Sequence, residues 1–353
     1  MGVVLAAMLL PGCGRGRAGK AQEYAYVNAP QVNLRDRVAA VYNKVGIVKN
    51  GERVDVLEKS KRYVRVRTSR GEEGWVEQRY LVGQDTYDAF HQMASQNAAT
   101  PIQARGVTRA ETNLHVTPGR DTEHLYQMPE TSKVEILKRA TAEKPGAAPP
   151  PSKPGATEKD KPAGPPLEDW WLVREVVLTP AKPGTPAPEP HVGWVLARMV
   201  DLDVPLEIAQ YAESQRIAAY FVLNQVDDTQ DKVAKKVGQY LVEMTEPKDG
   251  QPYDYDQIRV FTWNPRRHHY ETAYRERNLF GMFPTRVSQE DFGKEGTLPV
   301  FVLHLQGEDG KIQELKYKLN GPIVRKVLAP GEKAPKSAAI PHAKKPGKKV
   351  KAK

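Results

Sequence analysis

Two stretches of this chain repeat the same short motifs in the same order. Asn33-Leu34-Arg35 opens the first stretch, and Gly74-Trp75-Val76 closes it. Thr112-Asn113-Leu114-His115 and Gly193-Trp194-Val195 occupy the corresponding places in the second stretch. An internal repeat constrains a fold strongly, because both copies must build the same kind of unit.

Each copy has the pattern of short β-strands joined by tight turns. In the first copy, residues 53–57 and 63–67 alternate apolar and polar side chains, which is the period of a half-buried strand. Asn50-Gly51 lies between two such segments and is typical of a two-residue hairpin turn. Several short strands at close spacing indicate a small barrel. We therefore expect β-barrels over residues 24–83 and 105–203.

The order of these motifs resembles that of the bacterial SH3-like domain, whose members open with Asn-x-Arg and close with Gly-Trp-Val. The resemblance implies a shallow aromatic groove that binds peptides. The groove residues it implies are Tyr63, Trp75 and Tyr80 in the first copy and Trp170, Trp171 and Trp194 in the second. The alternative is that the Trp of a closing motif belongs to the core. Because side chains alternate along a strand, we expect one of Trp170 and Trp171 to face outward.

Two insertions interrupt the second copy. Residues 140–168 and 179–191 are rich in Pro, Ala and Lys and nearly devoid of large apolar side chains. Such segments cannot bury enough surface to offset the entropy of ordering, so we expect disordered loops that leave the barrel intact. Residues 84–104 predict a helical linker, because Tyr87 and Phe90 fall on one helical face.

Residues 204–330 predict a third domain. Strand patterns separated by turn-rich segments give roughly seven strands in an antiparallel meander or sandwich. The fold class is therefore mainly β throughout. Residues 331–353 contain eight Lys and one Glu, which is most of the net charge of +10. That composition predicts a disordered tail.

The only cysteine follows an apolar run. Residues 3–10 are apolar, and Leu10-Pro11-Gly12-Cys13 resembles the bacterial lipobox, whose cysteine is lipidated after cleavage. The resemblance implies that residues 1–23 are a signal peptide, lipobox and leash, and that Cys13 carries a lipid. We then expect a membrane-anchored lipoprotein of the cell envelope, facing the periplasm or the exterior. An ordinary signal peptide and a buried N-terminal strand are the alternatives.

Few residues fit a catalytic pattern. A cysteine peptidase needs a thiol beside a histidine, and the only thiol lies in the expected export signal. No histidines have zinc-protease spacing, and the adjacent His268 and His269 would point to opposite sides of a strand. We therefore expect no metal, no cofactor and no enzymatic activity. Carboxylates for a glycoside hydrolase are still available at Asp227, Asp228, Asp254, Asp256, Glu290 and Asp291.

These features favour a binding protein. We expect a non-enzymatic envelope lipoprotein whose SH3-like domains bind peptidoglycan or a protein or peptide partner. The lysine-rich tail would contact anionic envelope polymers by screened electrostatic attraction. We expect no nucleic-acid partner, because the positive charge is concentrated in the tail of an exported chain. One alternative is a structural subunit of an envelope assembly that uses the third domain as its interaction surface. A less favoured one is a cell-wall hydrolase with its site in residues 204–330.

Overall fold

The computed structural model describes residues 23–38, 43–146, 165–177, 189–228, 235–307 and 309–328. Cys13, the tail and most of both Pro-rich insertions lie outside these residues, so the expectations about them stay predictions. Within the described ranges, no helix is both long and apolar enough to cross a membrane.

The fold is mainly β, as the strand patterns predict, and the described residues form three antiparallel sheets of seven strands each. The first sheet contains β1 (Tyr24–Val27), β2 (Gln31–Arg35), β3 (Lys44–Lys49), β4 (Arg53–Ser60), β5 (Tyr63–Arg67), β6 (Glu73–Glu77) and β7 (Leu81–Val82). The second contains β8 (Ala104–Thr108), β9 (Thr112–His115), β10 (His124–Met128), β11 (Lys133–Glu143), β12 (Leu167–Glu175), β13 (Val192–Leu196) and β14 (Val200–Leu202). The third contains β15 (Arg216–Asp228), β16 (Lys235–Thr245), β17 (Tyr255–Asn264), β18 (His269–Asp291), β19 (Thr297–Gln306), β20 (Ile312–Asn320) and β21 (Ile323–Val327). The helices are α1 (Gln84–Gln96) and α2 (Leu206–Ala209).

The first two sheets have the same strand order. It is β3-β2-β6-β5-β4-β1-β7 in the first sheet and β10-β9-β13-β12-β11-β8-β14 in the second. Strands β8 to β14 of the second sheet therefore take the positions that β1 to β7 have in the first sheet, in the same sequence order. Register agrees as well, because Arg35 pairs with Trp75 in the first sheet and His115 pairs with Trp194 in the second.

The glycines of the closing motifs explain why the motifs recur. A Cβ atom on Gly74 would lie 2.8 Å from Leu34 Cβ, and one on Gly193 would lie 2.8 Å from Leu114 Cβ. Both leucines are fully buried. The opening leucine and the closing glycine thus pack against each other in both sheets, and no larger side chain fits at the glycine.

Helix α1 packs on the first two sheets through the face that the sequence predicts. Phe90 is buried, and Tyr87 stacks on Tyr26 of β1 with ring centroids 4.0 Å apart. A Cβ atom on Gly193 would also lie 3.1 Å from Phe90 Cε1, so the helix approaches strand β13 closely.

The third sheet is a meander in which strands follow in chain order from β15 to β21. Seven strands are present, as the pattern over residues 204–330 predicts, and β18 is the longest of them, from His269 to Asp291. It pairs with β17 as far as Gly281 and with β19 from Gly281 onward, so one long strand serves two partners. Trp263 and Tyr270 pair across the β17–β18 hairpin, with ring centroids 5.1 Å apart.

The chain folds into two compact units. The first lies within residues 1–99, 107–134 and 142–201, and the second within 100–106, 135–141 and 202–353. Segments 100–106 and 135–141, which the repeat places in or beside the second barrel, thus group with the third sheet. Strand β11 also extends to Glu143 and β12 begins at Leu167, so ordered strand occupies both ends of the first predicted insertion.

The second unit contains a buried polar network. The Thr285 hydroxyl donates to Glu243 Oε1 at 2.5 Å, and the Thr285 amide donates to Gln103 Oε1 at 2.7 Å. Arg139 and Asp254 form a buried ion pair at 3.3 Å. Burial raises the pKa of Glu243 from its ordinary 4.5 to about 8, and the nearby Asp254 charge adds to that shift.

We expect Glu243→Gln to stabilise the protein above pH 8 and to flatten its pH dependence. Since the folded pKa lies above the unfolded pKa, the native state binds the extra proton. Its contribution to stability is complete below about pH 4.5 and is lost as pH rises through about 8. Because one pKa unit corresponds to about 1.4 kcal/mol, the gain at pH 9 should be a few kcal/mol. Thermal unfolding between pH 4.5 and 9 measures this effect, with exposed Glu246→Gln as control. An unchanged pH slope in the Glu243 variant would contradict the assignment.

Candidate functional site

The first groove brings together the three candidates of the first copy. Tyr63, Trp75 and Tyr80 line a groove of about 360 Å³, together with Asn33 and Arg35. The other lining residues are Ala29, Pro30, Gln31, Val32, Val76 and Glu77.

Different elements place the three aromatic rings. Tyr63 begins β5 and is 6% exposed, so its ring forms the floor. Trp75 lies on β6 opposite Arg35, and Tyr80 ends the 3-10 turn that follows that strand. Arg79 lies over the Tyr80 ring at 4.7 Å and donates to its hydroxyl at 2.8 Å.

The Tyr63 hydroxyl is buried and has no hydrogen-bond partner among the described residues. A buried polar group without a partner costs about 1–3 kcal/mol. A donor or acceptor that reached this hydroxyl would recover that energy. The polar side chains that line the groove itself are Asn33, Arg35 and Glu77.

The second groove occupies the matching position in the second sheet and is smaller, about 250 Å³. Trp170 pairs with Leu196 in the second sheet as Tyr63 pairs with Glu77 in the first, so Trp170 has the position of Tyr63. Trp170 lines the second groove beside His115. The His115 and Trp170 rings meet edge to face at 5.2 Å. Burial lowers the pKa of His115.

Trp171 and Trp194 do not line the second groove. The expectation that one of the adjacent tryptophans faces outward is wrong, because Trp170 and Trp171 are 2% and 4% exposed. Strand β12 is buried from Glu168 to Val173, so both of its faces are covered and alternation exposes neither ring. Trp194 is half-buried on β13.

A third concave surface, the aromatic cleft, was not predicted. It has a volume of about 500 Å³ and lies in the first unit, between the β3–β4 turn, helix α1 and the second sheet. Its principal lining residues are Asn50, Gly51, Tyr87, Phe90, His91, Tyr126, Glu175, Glu189 and His191.

Ring contacts form the walls of the aromatic cleft. Tyr126 stacks on His191 with centroids 3.8 Å apart, and Phe90 meets Tyr126 edge to face at 5.3 Å. Tyr87 lies 4.2 Å from His91 along the helix. Burial raises the pKa of Tyr126 to about 12, with smaller contributions from the neighbouring tyrosines and Glu189.

Asn50 holds the turn that borders the cleft against the second sheet. Its Nδ2 donates to the carbonyl of Leu125 at 2.7 Å and to that of Val27 at 3.3 Å, while its Oδ1 accepts from the amide of Gln127 at 3.2 Å. Gly51 has φ +74°, and a Cβ atom there would lie 3.3 Å from Tyr126 Cε1. The Asn-Gly pair thus makes the predicted turn and also joins the two sheets.

The carboxylates considered for glycoside cleavage are distributed among separate contacts. Asp254 pairs with buried Arg139, Asp227 with Lys236, and Glu290 with Lys316. His268 lies 3.0 Å from Asp228. Among the described residues, no three His, Cys, Asp or Glu side chains come together as a metal site.

Comparison with known proteins identifies one domain. Residues 30–82 match the family described as bacterial SH3 domain, so the first repeat contains such a domain. No curated protein matches the chain.

The solved structures that resemble the chain include the following three, each at 10% identity. NlpC2 from Trichomonas vaginalis covers 73% of this chain and 97% of its own, with a TM-score of 0.16. An NlpC/P60 family protein from Bacillus cereus ATCC 10987 covers 82% and 93%, with a TM-score of 0.22. NlpC1 from Trichomonas vaginalis covers 75% and 92%, with a TM-score of 0.16.

These matches correct one expectation. The prediction that the chain is not an enzyme is wrong on this comparison, because the matched proteins belong to the NlpC/P60 family of hydrolases. At TM-scores of 0.16–0.22, however, they transfer no reaction, substrate or residue role to this chain.

We expect Asn50→Ala to destabilise the first unit by about 1–3 kcal/mol, because it leaves the Gln127 amide and the Leu125 carbonyl without their partner. Near-ultraviolet circular dichroism during thermal unfolding reports the change, since Tyr126 lies beside the turn. Asn43→Ala is the control, because Asn43 is exposed and its side-chain contact to Asp36 is 3.4 Å. Equal melting of the two variants would show that Asn50 does not join the sheets.

Proposed function

We propose that this protein binds peptidoglycan through two SH3-like domains at the cell envelope. The observation that carries the proposal is the first groove. It lies within a bacterial SH3 domain, has aromatic walls at Trp75 and Tyr80, and is lined by the polar side chains of Asn33, Arg35 and Glu77. Apolar rings with a few convergent polar groups suit a peptide carrying both kinds of surface. The proposal concerns binding and is independent of any turnover of the ligand.

The second sheet is proposed to be a second SH3-like domain. The shared strand order and the glycine–leucine contacts, Gly74 on Leu34 and Gly193 on Leu114, support this assignment. Its groove has Trp170 where the first has Tyr63, and Met199 where the first has Tyr80. A smaller groove with a different floor suits a different part of the same polymer.

We further propose an envelope location, with the chain anchored by a lipid on Cys13 and facing the periplasm or the exterior. The apolar run before Leu10-Pro11-Gly12-Cys13 supports this proposal. The lysines of residues 331–353 would then face anionic envelope polymers, whose attraction weakens with salt.

The groove assignment predicts that Trp75→Ala and Tyr80→Ala, made separately, each weaken binding to purified peptidoglycan about tenfold, equivalent to roughly 1.4 kcal/mol. Each variant removes one aromatic wall. Co-sedimentation at 0.15 M salt and at 0.5 M salt measures the binding and separates it from attraction by the tail. Tyr24→Ala, which removes a ring from β1 outside the groove, is the matched control.

Circular dichroism establishes that each variant is folded before it is compared. If folded Trp75 and Tyr80 variants sediment as the wild type does, the first groove is not the binding site. If the wild-type protein stays in the supernatant at both salt concentrations, peptidoglycan binding itself is wrong.

A further inference from the structure

The aromatic cleft has an electrostatic character that separates it from both grooves. Its charged lining residues are Glu175 and Glu189, accompanied by His191 and His91, and no Lys or Arg is among the lining residues in the part of the chain that the structure describes. With neutral imidazoles the lining therefore carries two negative charges. The protein as a whole is basic, with a net charge of +10, so this acidic site is not a consequence of composition.

Glu175 is held by a histidine, whereas Glu189 stands at the rim of the cleft with an exposed side chain. Glu175 Oε2 lies 2.8 Å from His191 Nδ1, and Glu189 Oε2 lies 3.7 Å from His91 Nδ1. A carboxylate has about four acceptor positions, so a single histidine contact leaves capacity for a further donor. Glu189 also contributes to the raised pKa of Tyr126 and of Tyr87, which places its negative charge within reach of both rings.

The rings add a second attraction for a cation. Tyr87 and Tyr126 contribute aromatic surface to one cleft, beside the buried ring of Phe90, and aromatic faces attract ammonium groups through their quadrupoles. The same rings accept an alkyl chain as apolar surface. A volume of about 500 Å³ accommodates a side chain with several methylene groups. The two carboxylates repel an anionic ligand, and a neutral polar ligand gains hydrogen bonds from them without the charge–charge attraction that a cation gains.

We propose that the aromatic cleft binds the primary ammonium group of a diamino-acid side chain in a cell-wall peptide. Glu175 and Glu189 accept hydrogen bonds from the ammonium group, and the rings of Tyr87 and Tyr126 cover its alkyl stem. The identification of the ligand as a cell-wall peptide rests on the proposed function, whereas the recognition of a primary ammonium group does not. The cleft is a site distinct from the two grooves, and its occupant is selected by charge.

The test compares purified peptidoglycan with the same material after its free amines are acetylated by acetic anhydride. Acetylation removes the ammonium charge and preserves the chain. It also makes the wall more negative, which would strengthen attraction by the basic tail. A loss of binding on acetylation is therefore opposite in sign to that general electrostatic effect. We expect wild-type protein to bind the acetylated wall about threefold to tenfold more weakly in co-sedimentation.

Variants assign that loss to the cleft. Glu175→Gln/Glu189→Gln should bind native and acetylated wall equally, whereas Trp75→Ala should still distinguish them. Glu58→Gln/Glu130→Gln, which removes two exposed glutamates of the same unit outside the cleft, is the charge-matched control and should behave as the wild type. Circular dichroism verifies folding of each variant.

The outcomes separate the two proposals. If the wild type binds both wall preparations equally while Trp75→Ala binds weakly, the ammonium site is overturned and the groove proposal stands. If acetylation weakens the wild type and the cleft variant to the same degree, the amine is recognised elsewhere and the cleft assignment is wrong. If the wild type sediments with neither preparation, both proposals fail.

Discussion

The side-chain amide of Asn50 is the contact on which the arrangement of the first unit depends. It satisfies a carbonyl and an amide of β10 while its own residue forms the β3–β4 turn. Gly51 brings the backbone against the Tyr126 ring, where a Cβ atom would already be tightly placed. Two seven-stranded sheets therefore meet at a fixed position, and helix α1 closes the space beside them. The aromatic cleft exists because these three elements are held at that separation.

Local signals in the sequence predicted the elements well. Alternating side chains identified strands of the first sheet, turn-rich segments delimited those of the third, and the Tyr87 and Phe90 face identified helix α1. The repeated motifs predicted that the first two stretches share one architecture, and the first two sheets have the same strand order. In each sheet the opening leucine packs against the closing glycine. Tyr63, Trp75 and Tyr80 share one groove because short strands and one turn connect them.

Features assembled from distant segments were beyond such reasoning. Asn50, Tyr126 and Glu175 have no local pattern in common, and only the folded chain brings them to one cleft. The same limit applies to Glu243, whose strand reads as apolar and whose burial follows from Thr285 and Gln103, far away in sequence. Alternation also failed at Trp170 and Trp171, because a strand covered on both faces has no outward side. The acidic character of the aromatic cleft therefore arises from tertiary structure and could not be predicted from the composition of a basic chain.

The three sheets differ in how far apart in the chain their paired strands lie. In the first sheet β1 pairs with β7, and β2 with β6, whereas every pair in the third sheet joins consecutive strands. Pairing over long separations must first close a loop, which slows its formation relative to local hairpins. On a ribosome, where the N-terminus emerges first, the first sheet therefore stays open until residues 81–82 have been made. Each hairpin of the third sheet can close as soon as its second strand has emerged. The first sheet must therefore wait for its last strand, whereas the third sheet can assemble one hairpin at a time during synthesis.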